Sequence, residues 1–132
     1  MKALVATLIL FSTTSTTFAH EGHSHESLSA PHGGSVYEGK NLGVELVQDG
    51  KKLSLYPVDR NWKLFSAADF QKTEMTAQLT LRNKKVENLT LKRESDHFSA
   101  EFDTKGEARA KITLSLSTKG TKETINFNVE PQ

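Results

Sequence analysis

Cysteine is absent from this 132-residue chain. That absence excludes disulfides, thiolate metal ligands, cysteine nucleophiles and the acylated cysteine of a lipoprotein. Any bound metal must be held by imidazole, carboxylate, amide, methionine or a terminal amine. Such donors favour borderline divalent ions over thiolate-bound copper(I) or tetracysteine zinc. Surplus charge is lacking as well. The formal net charge is only +1, so nothing draws the chain to nucleic acid or an anionic membrane. There is no glycine-rich phosphate loop and no nucleophile motif. No paired-carboxylate or Ser-His-Asp arrangement can be argued from spacing, so the chain does not read as an enzyme.

Long apolar runs are equally scarce. The one notable run, residues 3–11 (ALVATLILF), follows Lys2 and precedes a polar Ser/Thr stretch ending in Thr17-Phe18-Ala19. It is about half of the ~20 residues that span a bilayer. A positive start, a short apolar centre and small residues at Thr17 and Ala19 predict a cleavable export signal over residues 1–19. Cleavage after Ala19 removes Lys2 and no acidic residue, leaving sixteen of the 17 basic residues against 16 acidic ones. The expected product is periplasmic or secreted, with no membrane anchor after cleavage.

What the chain does have is histidine, in one place. Four of its 5 histidines, His20, His23, His25 and His32, fall within thirteen residues, and the fifth is His97. Imidazole is the commonest protein ligand for zinc, copper and nickel. His20, His23 and His25 can converge on one ion, with Glu21 or Glu26 adding an oxygen. If His20 begins the mature chain, its amine and imidazole offer copper(II) a two-nitrogen chelate. His32, in Pro31-His32-Gly33-Gly34, stands at the entry to the rest of the chain. The candidate metal ligands are therefore His20, His23, His25 and His32, and the expected ion is copper(II) or zinc(II). His97 precedes Phe98 and should point outward if Phe98 points inward. Tyr37, Tyr56 and Trp62 read as core or strand-edge aromatics.

Residues 20–35 hold almost no large apolar side chain, so they cannot bury enough surface to offset their ordering entropy. They read as a flexible His-rich tail. From Val36 onward the pattern has period two. Val44 and Leu46, Leu53 and Leu55, Met75 to Leu81, Phe98 to Phe102, Ala110 to Leu116 and Ile125 to Val129 each place apolar residues on one face. Alternation of this kind puts one face on a core and the other in water. Asp49-Gly50, Asn83, Ser95-Asp96, Lys105-Gly106 and Lys119-Gly120 supply the turns. The reading is an all-β domain over 36–132: an antiparallel, immunoglobulin-like β-sandwich of about seven or eight strands. A small barrel is the alternative. Ser66 to Phe70 is the one helix-like stretch, with Ser66 as its cap.

The order of a histidine-rich leader, then PHGGSVYEG, then NLGVELVQDGKKLSLYPVD resembles a small periplasmic β-domain. That domain occurs alone and in the heavy-metal efflux adaptors of resistance-nodulation-division systems. The similarity covers Pro31 to Asp59. It implies a periplasmic protein handling copper, zinc or related cations, with a heavy-metal efflux system as its partner. Many members carry a histidine just before the Glu-Leu-Val step, where this chain has Asn41-Leu42-Gly43-Val44, and another after the aspartate, where it has Arg60. The resemblance therefore directs attention to the tail and His32. A second reading, from another class, is an envelope interaction module that pairs by its sheet edges.

Overall fold

A computed structural model describes residues 28–131. The expected export signal, residues 1–19, and His20, His23 and His25 lie outside the described residues. The fold is an antiparallel β-sandwich. One sheet has the order β1-β2-β3-β7-β6 and the other β5-β4-β8-β9. The first comprises β1 (Ser35–Glu38), β2 (Gly43–Asp49), β3 (Lys52–Val58), β6 (Lys92–Arg93) and β7 (Phe98–Glu101). The second comprises β4 (Thr73–Thr80), β5 (Val86–Leu89), β8 (Ala110–Thr118) and β9 (Thr121–Val129). The architecture is an all-β sandwich of two packed antiparallel sheets, a layer arrangement that recurs with different strand topologies. Nine strands appear among the described residues rather than seven or eight; the two-residue β6 is too short to announce itself by alternation.

Period two decides what is inside. Along β4, β8 and β9 alternate side chains are buried, among them Leu79, Ile112, Leu114, Leu116, Ile125 and Phe127. Val44, Leu53, Leu55 and Phe98 face them from the first sheet and join the same core. Each such side chain contributes about 1.5–3 kcal/mol relative to exposure. Polar residues on the opposite parity face water, so a one-residue slip would invert every strand.

The crossover from β3 to β4 carries the helix α1 (Ala67–Gln71). The Ser66 hydroxyl accepts a hydrogen bond from the Asp69 amide at 3.2 Å, as its N-cap position requires. Phe70 is 1% exposed and meets the Phe98 ring at 5.1 Å between centroids. Arg93 secures this corner. Its guanidinium lies 5.1 Å from the Phe70 ring and 4.8 Å from the Phe98 ring. It also donates to the Phe70 carbonyl at 2.9 Å and to the Thr73 carbonyl. A two-residue strand thus earns its place by closing the end of α1.

Candidate functional site

Parity assigns Glu45 to the outer face of the first sheet, between inward Val44 and Leu46. Yet Glu45 is 0% exposed. The cover is the Pro31–Gly34 turn. The His32 amide donates to Glu45 Oε2 at 2.8 Å, and the Gly34 amide donates to the same oxygen at 3.0 Å. The His32 ring meets Glu45 Oε1 through Nδ1 at 2.7 Å. A buried carboxylate is tolerated only where donors replace water, and here three do. Gly34 is demanded by this closeness. A Cβ there would sit 2.3 Å from the Leu46 carbonyl oxygen. Residues 32–34, within the stretch read as flexible tail, are thereby tied to the sandwich.

The ring contact also sets the histidine's chemistry. A carboxylate only accepts, so the proton between the two groups sits on Nδ1, and in the neutral ring the lone pair is then on Nε2. Among the described residues Nε2 has no hydrogen-bond partner. The side chain is 34% exposed. A carboxylate on one ring nitrogen, with the other nitrogen open, is the arrangement that orients metal-binding histidines.

The same rung of the sheet brings in residues that are far apart in sequence. Glu45 pairs with Tyr56 across β2 and β3. Leu55 pairs with Phe98, so Tyr56 lies beside His97, one step beyond that pair. The His32 ring stacks on Tyr56 at 3.9 Å and 24°. The His97 ring also meets Tyr56, tilted, at 4.7 Å and 30°. His97 Nδ1 is in turn 2.7 Å from Asp96 Oδ1. Tyr56 thus touches two imidazoles, stacked on His32 and tilted against His97, and each imidazole has a carboxylate beside it. Burial first, then the charges of Asp96 and Glu45, push the Tyr56 phenol above its ordinary value. Among the described residues no group of three or more His, Asp or Glu is placed to hold a metal ion.

Asp59 closes the stretch from Pro31. Its carboxylate accepts from the Asn61 and Lys63 amides at 2.8 and 3.0 Å. That folds the loop after β3. Tyr37 stacks on Phe127 at 4.7 Å and 16°, joining the two sheets. The Trp62 indole donates to Glu38. Of the sequence candidates, then, His32 is positioned by the fold, and His20, His23 and His25 precede the described residues. His97 and Tyr56 were not among the sequence's site residues. The available signal was outward parity at positions 45, 56 and 97.

No protein-family model matches this sequence, and no curated protein matches it. Among solved structures, a DUF4426 family protein from Pseudomonas aeruginosa PAO1 is similar, with a TM-score of 0.56 and 17% sequence identity. The match covers 74% of this chain and 98% of that one. At that identity the likeness concerns the fold: a two-sheet antiparallel sandwich. No helix among the described residues is long and apolar enough to cross a membrane.

Proposed function

We propose that this is an exported metal-binding protein of the cell envelope. It captures copper(II) or zinc(II) with His20, His23, His25 and His32, and serves as a buffer, chaperone or accessory to heavy-metal efflux. The observation that carries the reading is the His32–Glu45 contact, 2.7 Å at Nδ1, which leaves Nε2 as the open nitrogen. His32 is the ligand held by the folded domain. The tail supplies the remaining imidazoles, His25 being seven residues upstream. The resemblance of Pro31 to Asp59 to periplasmic heavy-metal domains supports the same reading.

Histidine ligands must be neutral to bind, so protons compete with the metal and acidification releases it. Calorimetric titration of the mature chain with copper(II) and zinc(II) tests the proposal. Replacing His20, His23 and His25 together by Ala should abolish most of the binding. His32→Ala should weaken it while leaving the tail's contribution. Unchanged stoichiometry and affinity in the triple variant would place the site elsewhere, and no binding by the unaltered protein would end the proposal.

A further inference from the structure

Three of the four sheet edges are short. β1 and β5 have 4 residues each and β6 has 2. The fourth, β9, runs 9 residues at the end of its sheet. Long edges are normally guarded by proline, a central charge or a bulge. The side chains on the outer face of β9 are Lys122, Thr124, Asn126 and Asn128, all exposed, with Glu130 just beyond. The charges sit at the two ends and the centre is neutral. Among the described residues, no strand pairs with the outer side of β9.

The β8–β9 turn fixes which backbone groups that edge presents. Lys119 and Gly120 have φ of 48° and 80°, the signature of a type I′ turn. In such a turn the Thr121 amide donates back to the Thr118 carbonyl, so Thr121 faces β8. Alternation then turns residues 123, 125, 127 and 129 toward β8 and residues 122, 124, 126 and 128 outward. The groups left open belong to the residues whose side chains form the exposed face.

We propose that this edge pairs with the same edge of a second copy, antiparallel, about a two-fold axis through Asn126. In that register Asn126 faces Asn126, Thr124 faces Asn128, and Lys122 faces Glu130, twice by symmetry. Shifting the axis to residue 124 or 125 keeps the backbone parity but leaves both charges without an opposite. Parallel in-register pairing would put Lys122 against Lys122. Charge complementarity therefore selects one register and one occupant. The Glu130 carbonyl already accepts from the Gln48 side chain at 2.6 Å. The main-chain ladder accordingly spans residues 124–128, and the Lys122–Glu130 pairs hold its ends. The two 4-stranded sheets become one of eight strands, and the isologous contact closes at the dimer. This inference does not depend on metal binding.

Sedimentation velocity at rising protein concentration, in the presence of a chelator, tests it. The protein should pass reversibly from monomer to dimer and no further. Lys122→Glu reverses both charge pairs and should raise the dimer dissociation constant roughly tenfold, as should Glu130→Lys. The double variant Lys122→Glu with Glu130→Lys should restore it. Asn126→Pro should abolish the dimer without unfolding the chain, because the amide it removes faces outward rather than β8; circular dichroism verifies the fold. A monomer up to the solubility limit would overturn the proposal. So would a dimer that survives Asn126→Pro, or charge reversals that the double variant fails to rescue.

Discussion

Glu45 and His32 are bound to each other twice, once through the histidine's backbone amide at 2.8 Å and once through its ring at 2.7 Å. The carboxylate is fully buried, so it must have these donors. The histidine is thereby the cover of that carboxylate and, in the proposed site, the ligand the domain presents. Replacing Glu45 by Ala strands the His32 and Gly34 amides and frees the ring. We expect a loss of about 2–4 kcal/mol in folding stability, and a smaller loss for Glu45→Gln, by urea denaturation. A Glu45→Ala variant within about 0.5 kcal/mol of the parent would mean that the turn is not anchored by this contact.

Gly34 should be irreplaceable for a reason unrelated to its own conformational freedom. An added methyl would strike the Leu46 carbonyl oxygen of β2 at 2.3 Å. That atom belongs to a paired strand and cannot swing aside. Gly34→Ala should therefore lift the turn from Glu45 and cost about 2–4 kcal/mol. A melting temperature like that of the parent protein would show that the turn has room to spare.

The boundary between tail and domain should be sharp. Deleting residues 20–29 removes one large apolar residue, Leu28, and keeps Ala30, whose carbonyl accepts from the Gly33 amide at 3.1 Å, together with His32 and Gly34. Thermal unfolding in chelator should stay within about 0.5 kcal/mol of the parent. Deleting residues 20–34 uncovers Glu45 and should cost about as much as Glu45→Ala. Equal stability of the two truncated chains would contradict the anchoring role of residues 32–34.

Much of this was legible beforehand, and the rest was hidden for identifiable reasons. Alternation from Val36 onward marked the strands because each sheet has one dry face, and Lys119-Gly120 and Asp49-Gly50 marked hairpins because the turns need positive φ. The Ser66 cap was readable from local chemistry. The Tyr56–His97 contact was not, since β3 and β7 are joined only after an excursion through the other sheet. Nor was the burial of Glu45, because parity puts it outside and only the docking of a turn thirteen residues upstream covers it. His32 could be suspected from its neighbours Gly33 and Gly34, but its partner could not be named.

The stacked phenol offers a spectroscopic check. Tyr56 has its pKa raised above 10.0 by burial, Asp96 and Glu45, in that order. In a Tyr37→Phe background, ultraviolet absorbance should report a single tyrosine ionising above the ordinary phenol value, and Asp96→Asn should bring it down. The sign for stability follows. The folded state holds the proton more tightly than the unfolded chain. Its contribution is therefore complete below the unfolded value and is lost as pH rises through the folded one. Ionisation of Tyr56 at or below the ordinary value would contradict the stacked, shielded arrangement.

The most direct measurement of the metal-binding proposal is the metal content of the protein as cells make it. The chain should be expressed with its own leader and no affinity tag, recovered from the envelope fraction, and analysed for copper and zinc beside its intact mass. The proposal predicts a mature chain beginning at His20, carrying bound copper or zinc in stoichiometric amount. It also predicts that a variant with His20, His23, His25 and His32 all replaced by Ala is recovered nearly metal-free. A mature protein free of both metals, or a quadruple variant with undiminished metal, would contradict it.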